Sequence, residues 1–573
     1  MSDAADTVLV NGEIHTLTEP DEIHEALAVR DGEIVRMGST YDVEFLAGAE
    51  TDVIDLDGRV LLPGFIDAHT HLTTVGRYLV HADLSTAGSP EEAIELLADR
   101  AAAIEGRDTN VEAGPDGEGG GGDTCDGTDD GKGDGNDDGK GDREPIAEDP
   151  WVLGYGYDES TWSDDRYLTR ADLDRVPTDR PVAAFREDMH VAAVDSVVLD
   201  RFADEFAAAP EGTVQRDDDG EPTGVLLEAA IAPIYEAVDA DLDGTRDAIE
   251  AALAACARNG ITGFHDMVRE SHAARVYRDL DRDDALTARV RINYWSDHLD
   301  ALREVGLRTN TGSEFVDTGA IKSHTDGSIG GRTAKLSEPY ADRPTETGRW
   351  VVEPDSLRAL VAEATGAGYQ FTAHAIGDEA IDAVLDVYED ALDGEDALDG
   401  AAADGEAADT DERRHRIEHV ELASDEAIER LASTDVVASV QPNFLKWADE
   451  GGLYDSRLGE RRSETNRYRD MLDAGVRLAF GSDGMPMDPL IGIHHAVNAP
   501  ADAQRLSVTE ALRAYTSGAA YAGFDEDRQG TVETGTNADV VVLDDSPWDR
   551  PTEIREIDVS MTVVDGDVVY DGR

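Results

Sequence analysis

The chain has 573 residues, 40% of them hydrophobic, which is enough for a globular interior but more chain than one ordinary core organises. Lys and Arg number 49 against 126 Asp and Glu, and the formal net charge of −77 argues against nucleic-acid binding and, at ordinary ionic strength, against compaction itself. The two cysteines, Cys125 and Cys256, exclude a disulfide framework, and the absence of any run approaching eighteen apolar residues excludes a membrane-spanning helix.

The carboxylates are spread along the whole chain, which reads as a solvated surface adapted to salt and not as an acidic interaction tail. At molar salt the Debye length falls to about 3 Å and the self-repulsion is largely screened. Met1-Ser2-Asp3-Ala4-Ala5-Asp6 has neither a basic nor a long apolar stretch, so a soluble, cytoplasmic protein is expected, with no membrane partner.

From Thr7 to about Val60, short apolar runs alternate with turn residues. Val8-Leu9-Val10 precedes Asn11-Gly12, and Ala26-Leu27-Ala28-Val29 precedes Asp31-Gly32. Such dipeptides favour tight hairpins because both central residues need positive φ. The pattern returns in Val540 to Leu543 and in Met561 to Tyr570, so both ends are expected to join in one small β-sandwich, 1–60 plus 526–573.

Between them, strands are expected at 61–71, 261–266, 288–295, 315–324, 369–375, 416–420, 436–441 and 476–483, most of them separated by helical patterns such as Asp247 to Arg258. Eight strands with intervening helices read as an α/β fold, a (β/α)₈ TIM barrel over 61–84 and 234–525. The interval 85–233 is too long for one βα unit and reads as an inserted, lid-like subdomain. Within it, Gly106 to about Glu148 is so rich in Gly and Asp that it cannot bury enough apolar area to offset its ordering entropy. A second polar insertion is expected at Asp393 to Asp411.

Active sites of such barrels lie at the C-terminal strand ends. The first run ends in His69-Thr70-His71, whose alternation puts both imidazoles on one face. The fourth carries Lys322, with His324 on the same face; the fifth ends at His374, the sixth at His419 and the eighth at Asp483. Four imidazoles and a carboxylate suit Zn²⁺ and its first-row neighbours, whereas Mg²⁺ or Ca²⁺ wants hard oxygens. A lysine ammonium cannot ligate, but its carbamate with CO₂ offers two anionic oxygens to bridge two divalent ions. His324 is a substitute ligand or a substrate contact, and His265 and Asp266 at the end of the second run are further substrate contacts.

His69-Thr70-His71, Lys322 followed by Asp326-Gly327-Ser328, His374-Ala375-Ile376-Gly377-Asp378, Ile417-Glu418-His419 and Gly481-Ser482-Asp483 resemble the metal-dependent amidohydrolase superfamily. More narrowly they resemble the amidohydrolase-3 group that includes N-substituted formamide deformylases, and the acidity resembles haloarchaeal proteins. The resemblance implies that His69, His71 and Asp483 hold one metal, His374 and His419 the other, and that carboxylated Lys322 bridges them. It also implies that Asp483 moves the proton from the attacking hydroxide to the leaving amine. Arg186 and His190 sit where the family has an Asp-Gly-His before an Asn-Ser, with Met189 and Asp195-Ser196 departing from that pattern. The expected activity is hydrolysis of a non-peptide C–N bond in a small amide, an N-formyl or N-acyl amine. The alternatives are a deaminase of the same superfamily and a catalytically inactive scaffold. Self-association as a homodimer is left open by the sequence.

Overall fold

The structure, a computed structural model, describes residues 4–111, 151–398 and 413–573, apart from 160, 161, 165, 187–190, 211, 239, 240, 270 and 271. The chain divides into two compact units, Arg77–Asp241 and the remainder, Met1–Gly76 with Leu242–Arg573.

In the larger unit eight strands form one parallel sheet in chain order. They are β1 (Phe65–Thr70), β2 (Ile261–Val268), β3 (Arg289–Trp295), β4 (Val316–His324), β5 (Phe371–Ala375), β6 (Arg416–His419), β7 (Val437–Val440) and β8 (Leu478–Phe480). This is a TIM-barrel α/β fold. Every residue of β1, β2 and β5 to β8 is buried, as expected of parallel strands covered on both faces. The helix Leu242–Arg258 shows how the outer layer attaches, burying Ala248, Ile249, Ala252, Leu253 and Cys256 along one stripe.

Among the described residues no backbone ladder joins β8 to β1, and the Asp67 side chain does that work. Its carboxylate accepts from the Ser482 amide at 2.9 Å, the Ser482 hydroxyl at 2.5 Å and the His69 amide at 3.1 Å. The Asp483 amide then donates to the His69 carbonyl at 2.8 Å. Closing the barrel therefore brings His69 and Asp483 together.

The apolar run at 61–71 is two strands, not one. Val60–Pro63 belongs to a second sheet, pairing Leu62 with Val541, and the barrel strand begins only after Gly64. A Cβ on Gly64 would stand 2.2 Å from Thr262 Oγ1, so glycine is what lets the chain pass from one sheet to the other. That second sheet holds six strands from both chain ends, and a separate four-stranded sheet is built from residues 5–55. Leu9, Leu27 and Ile34 of the smaller sheet share a cluster with Leu61, Val540 and Met561 of the larger. Asp31-Gly32 makes the expected tight turn, with φ of 51° and 77°. Asn11-Gly12 does not, because the strands it separates, Ala5–Val10 and Glu13–His15, lie in different sheets.

In the smaller unit a six-stranded mixed sheet has apolar residues on both faces. Val152, Val182 and Ala184 enter one cluster, and Leu153, Ala183 and Phe185 the other, with the period of two that strands impose. The helix Pro90–Val111 takes in the first residues of the Gly/Asp-rich stretch, and the rest of that stretch lies outside the described residues. The helix Asp378–Leu398 likewise takes in the start of the expected loop at 393–411, whose remainder lies outside the described residues. Among the described residues no helix is long and apolar enough to cross a membrane.

Gly481→Ala tests the barrel seam. The new Cβ would lie 2.4 Å from the His69 amide nitrogen, a backbone atom that cannot yield without moving a strand. The expected cost is about 1–3 kcal/mol, read as a lower unfolding temperature; an unchanged transition would mean the seam tolerates separation.

Candidate metal centre

His69, His71, Lys322, His374, His419 and Asp483 line one cavity of about 380 Å³ at the C-terminal strand ends. His69 and His71 Nε2 stand 3.5 and 3.3 Å from Asp483 Oδ1, and one ligand atom from each of the three falls within 4.8 Å of the others. The His419 ring centroid is 5.1 Å from that of His69 and 4.4 Å from that of His374. Two of these residues occupy left-handed backbone, His419 at φ 76° and Asp483 at φ 56°, a strain of about 1–3 kcal/mol each. At β6 the irregular backbone replaces strict alternation, so that consecutive residues Glu418 and His419 both serve the site.

Each inner histidine has one ring nitrogen pinned. His69 Nδ1 donates to Glu418 at 2.6 Å, His419 Nδ1 to Gln441 Oε1 at 2.7 Å, and His374 Nε2 to the Gly327 carbonyl at 3.1 Å. In a neutral ring the other nitrogen then carries the lone pair a metal needs. Neutrality follows from burial, which lowers the basicity of all three; His419, also beside His69, is brought down to about 3. Burial alone would raise Asp483, but the His71 hydrogen bond and the neighbouring imidazoles outweigh it and hold the carboxyl well below its ordinary range. In turn His71 is raised, because the hydrogen bond and charge of Asp483 outweigh its burial.

Lys322 is 1% exposed, and its Nζ has no hydrogen-bond partner. Burial brings it down to about 8, against the pull of Glu418 and Asp483. A buried amine without an acceptor is costly. The imidazole and carboxylate donors around it fit a divalent metal ion.

The expected substrate contacts divide. His324 lines the cavity and stacks on His374 with centroids 4.3 Å apart. Neither His265 nor Asp266 lines it, because β2 continues to Val268 and both lie inside the strand instead of at its end. His265 Nδ1 instead accepts from Arg416, and Asp266 accepts from the Leu72 amide at 2.9 Å and the Tyr277 hydroxyl at 2.7 Å. Arg186 belongs to the smaller unit and is paired with Glu159 at 2.8 Å. His190 lies outside the described residues. Asp378, in the first turn of the helix Asp378–Leu398, accepts from the Ser337 amide at 3.0 Å.

Three supporting residues were not assigned from sequence. Glu418 is adjacent to His419, and strand alternation turns it away on paper. Gln441 follows β7 as the polar end of an apolar run, the very signal used for the ligands. Asp67 shares the face of His69 and His71 by the same period of two.

The pattern of the Amidohydrolase family matches residues 52–570. The chain belongs to the amidohydrolase family. It is 28% identical to YtcJ of Bacillus subtilis (strain 168), over 98% of each chain. It is 26% identical to the N-substituted formamide deformylase of Arthrobacter pascens, over 100% of this chain and 99% of that one. Its fold matches the crystal structure of an uncharacterized metal-dependent hydrolase from Pyrococcus furiosus with a TM-score of 0.71 and 28% identity, covering 95% of this chain and 99% of the other.

Glu418→Gln keeps the shape of the side chain that pins His69 but removes its charge. Divalent-metal affinity is expected to fall about 10- to 100-fold, measured by competition with a chromophoric chelator. An affinity equal to wild type would show that His69 is oriented by something else.

Proposed function

We propose that this amidohydrolase-family chain is a metal-dependent hydrolase of non-peptide C–N bonds, acting on a small-molecule amide such as an N-formyl or N-acyl amine. The observation that carries the reading is the convergence of His69, His71, His374, His419 and Asp483 around the buried, unpartnered amine of Lys322. His69, His71 and Asp483 would hold one ion, His374 and His419 a second, and carboxylated Lys322 would bridge them; Zn²⁺ suits this donor set best. When bound, such ions supply Lewis acidity, lowering the pKa of water from 15.7 towards about 7 and polarising a carbonyl.

The side chains do the rest. Asp483, held ionised, takes the proton of the attacking water at Oδ1 and returns it to the amine nitrogen as the C–N bond breaks. Glu418 and Gln441 keep His69 and His419 in the tautomers that present Nε2. Ile329, Phe444, Trp447 and Leu453 also line the cavity, which supports a substrate with an apolar group beside its amide. The Arthrobacter relative deformylates N-substituted formamides by its name, and the Pyrococcus structure is of a metal-dependent hydrolase; both support the reading. The net charge of −77 supports a salt-rich cytoplasm as the working medium.

Metal analysis of protein purified in high salt, with hydrolysis of an N-formyl and N-acyl amine panel, tests this. Wild type is expected to hold two ions and Lys322→Ala one or none, with activity down at least about 100-fold. Unchanged metal content and activity in Lys322→Ala would overturn the bridge, and no turnover of any amide by metal-replete wild type would overturn the reaction.

A further inference from the structure

We propose that Glu421 and the aromatic wall of the cavity select a substrate with a positive charge, an ammonium joined to the scissile amide by an apolar tether. The amide end of that substrate rests on the proposed function, and the ammonium pocket on residues that are not expected ligands. Glu421 stands two residues beyond the end of β6 and lines the same cavity as His419. Between them Val420 takes left-handed backbone at φ 49°, which a β-branched residue seldom adopts. The chain is fixed on both sides of the carboxylate: the Asn466 amide donates to the Glu421 carbonyl at 2.7 Å, and the Leu422 amide to the Ile376 carbonyl at 3.1 Å.

Glu421 is 3% exposed, and the Tyr454 hydroxyl donates to its Oε2 at 2.5 Å. Among the described residues no Lys, Arg or His pairs with it and no second group donates to its carboxylate. Asp326 and Asp483, the acids that act on it, carry its own sign. The other carboxylates withdrawn from water are better provided. Glu418 has Arg416, and Asp539 has Arg289. Asp67 accepts from two amides and a hydroxyl, and Asp326 from three amides. A buried carboxylate with one donor is costly, so Glu421 lacks a partner that its place in the cavity wall lets a ligand supply.

The surrounding rings indicate which partner. Phe444 lies parallel to His419 with centroids 6.2 Å apart, Trp447 is 4.8 Å from Phe444, and Tyr454 is 6.0 Å from Trp447. The aromatic wall thus runs from an expected ligand to the phenol that holds Glu421. Ring faces attract cations, and Trp447 already accepts one, since Lys446 Nζ lies 4.9 Å from its centroid without lining the cavity. A carboxylate beside aromatic faces suits an ammonium, whereas a wholly apolar tail would leave Glu421 as it stands. Ile329 and Leu453 supply the apolar lining for a tether, in a cavity of about 380 Å³. The class that fits is a diamine acylated or formylated at one end. Because the pair would be buried, molar salt leaves its attraction largely intact.

Calorimetric titration of the metal-loaded full chain with n-butylammonium and with n-butanol, in molar potassium chloride, decides the matter. Wild type is expected to bind the ammonium at least about 10-fold more tightly than the alcohol, and Glu421→Gln to lose most of that preference. Attraction to the acidic surface and ligation of a metal by free amine are common to both proteins. Equal affinity for ammonium and alcohol in wild type would overturn the proposal whether or not Glu421→Gln folds. A preference of equal size in both proteins would overturn it too. Turnover gives a second readout, the ratio of kcat/KM for a mono-N-formyl or mono-N-acetyl diaminoalkane to that for the N-acylated alkylamine of equal length. The ratio is expected to be about 10 or more in wild type and to fall towards unity in Glu421→Gln. A wild-type ratio of unity would overturn the substrate class. Ammonium binding that depends on Glu421, with no amide of either kind hydrolysed, would support the pocket and count against the proposed function.

Discussion

Glu418 is a carboxylate with no exposure, and the barrel is arranged around the need to satisfy it. Burial alone would raise it, but the charge of Arg416 and the hydrogen bond from His69 outweigh that and hold it well below its ordinary range. An unpaired charge in such a place would cost several kcal/mol, roughly the whole stability of many domains. Arg416, itself fully buried, pairs with it at 2.8 Å through Nη2, which also lies in hydrogen-bonding reach of the Ala68 carbonyl and the Ser439 hydroxyl, and donates from Nη1 to His265. Thr372 and His69 donate to the remaining lone pairs. One ion pair thus ties β6 to β1, β2, β5 and β7. The pair fixes His69 because His69 is one of the donors that keep the carboxylate satisfied.

The strain at the site has the same origin in connectivity. Two side chains from neighbouring positions of β6 must point inwards, one to complete the ion pair and one to face the cavity, and a regular strand allows only one. The left-handed backbone at His419 is the geometric consequence. At β8 the chain must both close the barrel through the Asp483 amide and turn the Asp483 carboxylate towards His69 and His71. Again the backbone, and not the side chain, absorbs the conflict. Strain of this kind persists only where the surroundings over-determine it, which the contacts of Asp67 with Ser482 and His69 supply.

What could be read from the sequence follows from this division of labour. All eight barrel strands were legible because strands buried on both faces are continuous apolar runs, and a polar residue ending such a run stands out. His69, His71, His374, His419 and Asp483 stand out that way and Lys322 as a charged residue within such a run, and all six line one cavity. The exact strand ends were not legible, and His265 shows the price of a two-residue error: assigned to the mouth of the barrel, it lies in its interior and supports Arg416. Glu418 stands next to His419, an expected ligand, in a motif already in view. It was passed over because alternation is the rule the site breaks. The passage of the chain through Gly64 was equally hidden, since Leu61 to Leu72 reads as one run until Thr262 is seen to need the space of a missing Cβ.

The two electrostatic systems of the molecule respond differently to salt. The −77 of the whole chain is a sum over all its charged residues, and beyond a Debye length the repulsion between solvent-exposed ones is removed by ions in solution. The interior pairs, Arg416 with Glu418 and Arg289 with Asp539, are buried at both partners and are screened far less. Raising salt therefore relieves the force that opposes folding while leaving the pairs that shape the site nearly untouched. A less acidic surface would reduce that repulsion, but it would not alter the barrel interior. The composition that dominates the sequence is thus a statement about solvent, and the few charges that define the chemistry are those withdrawn from it.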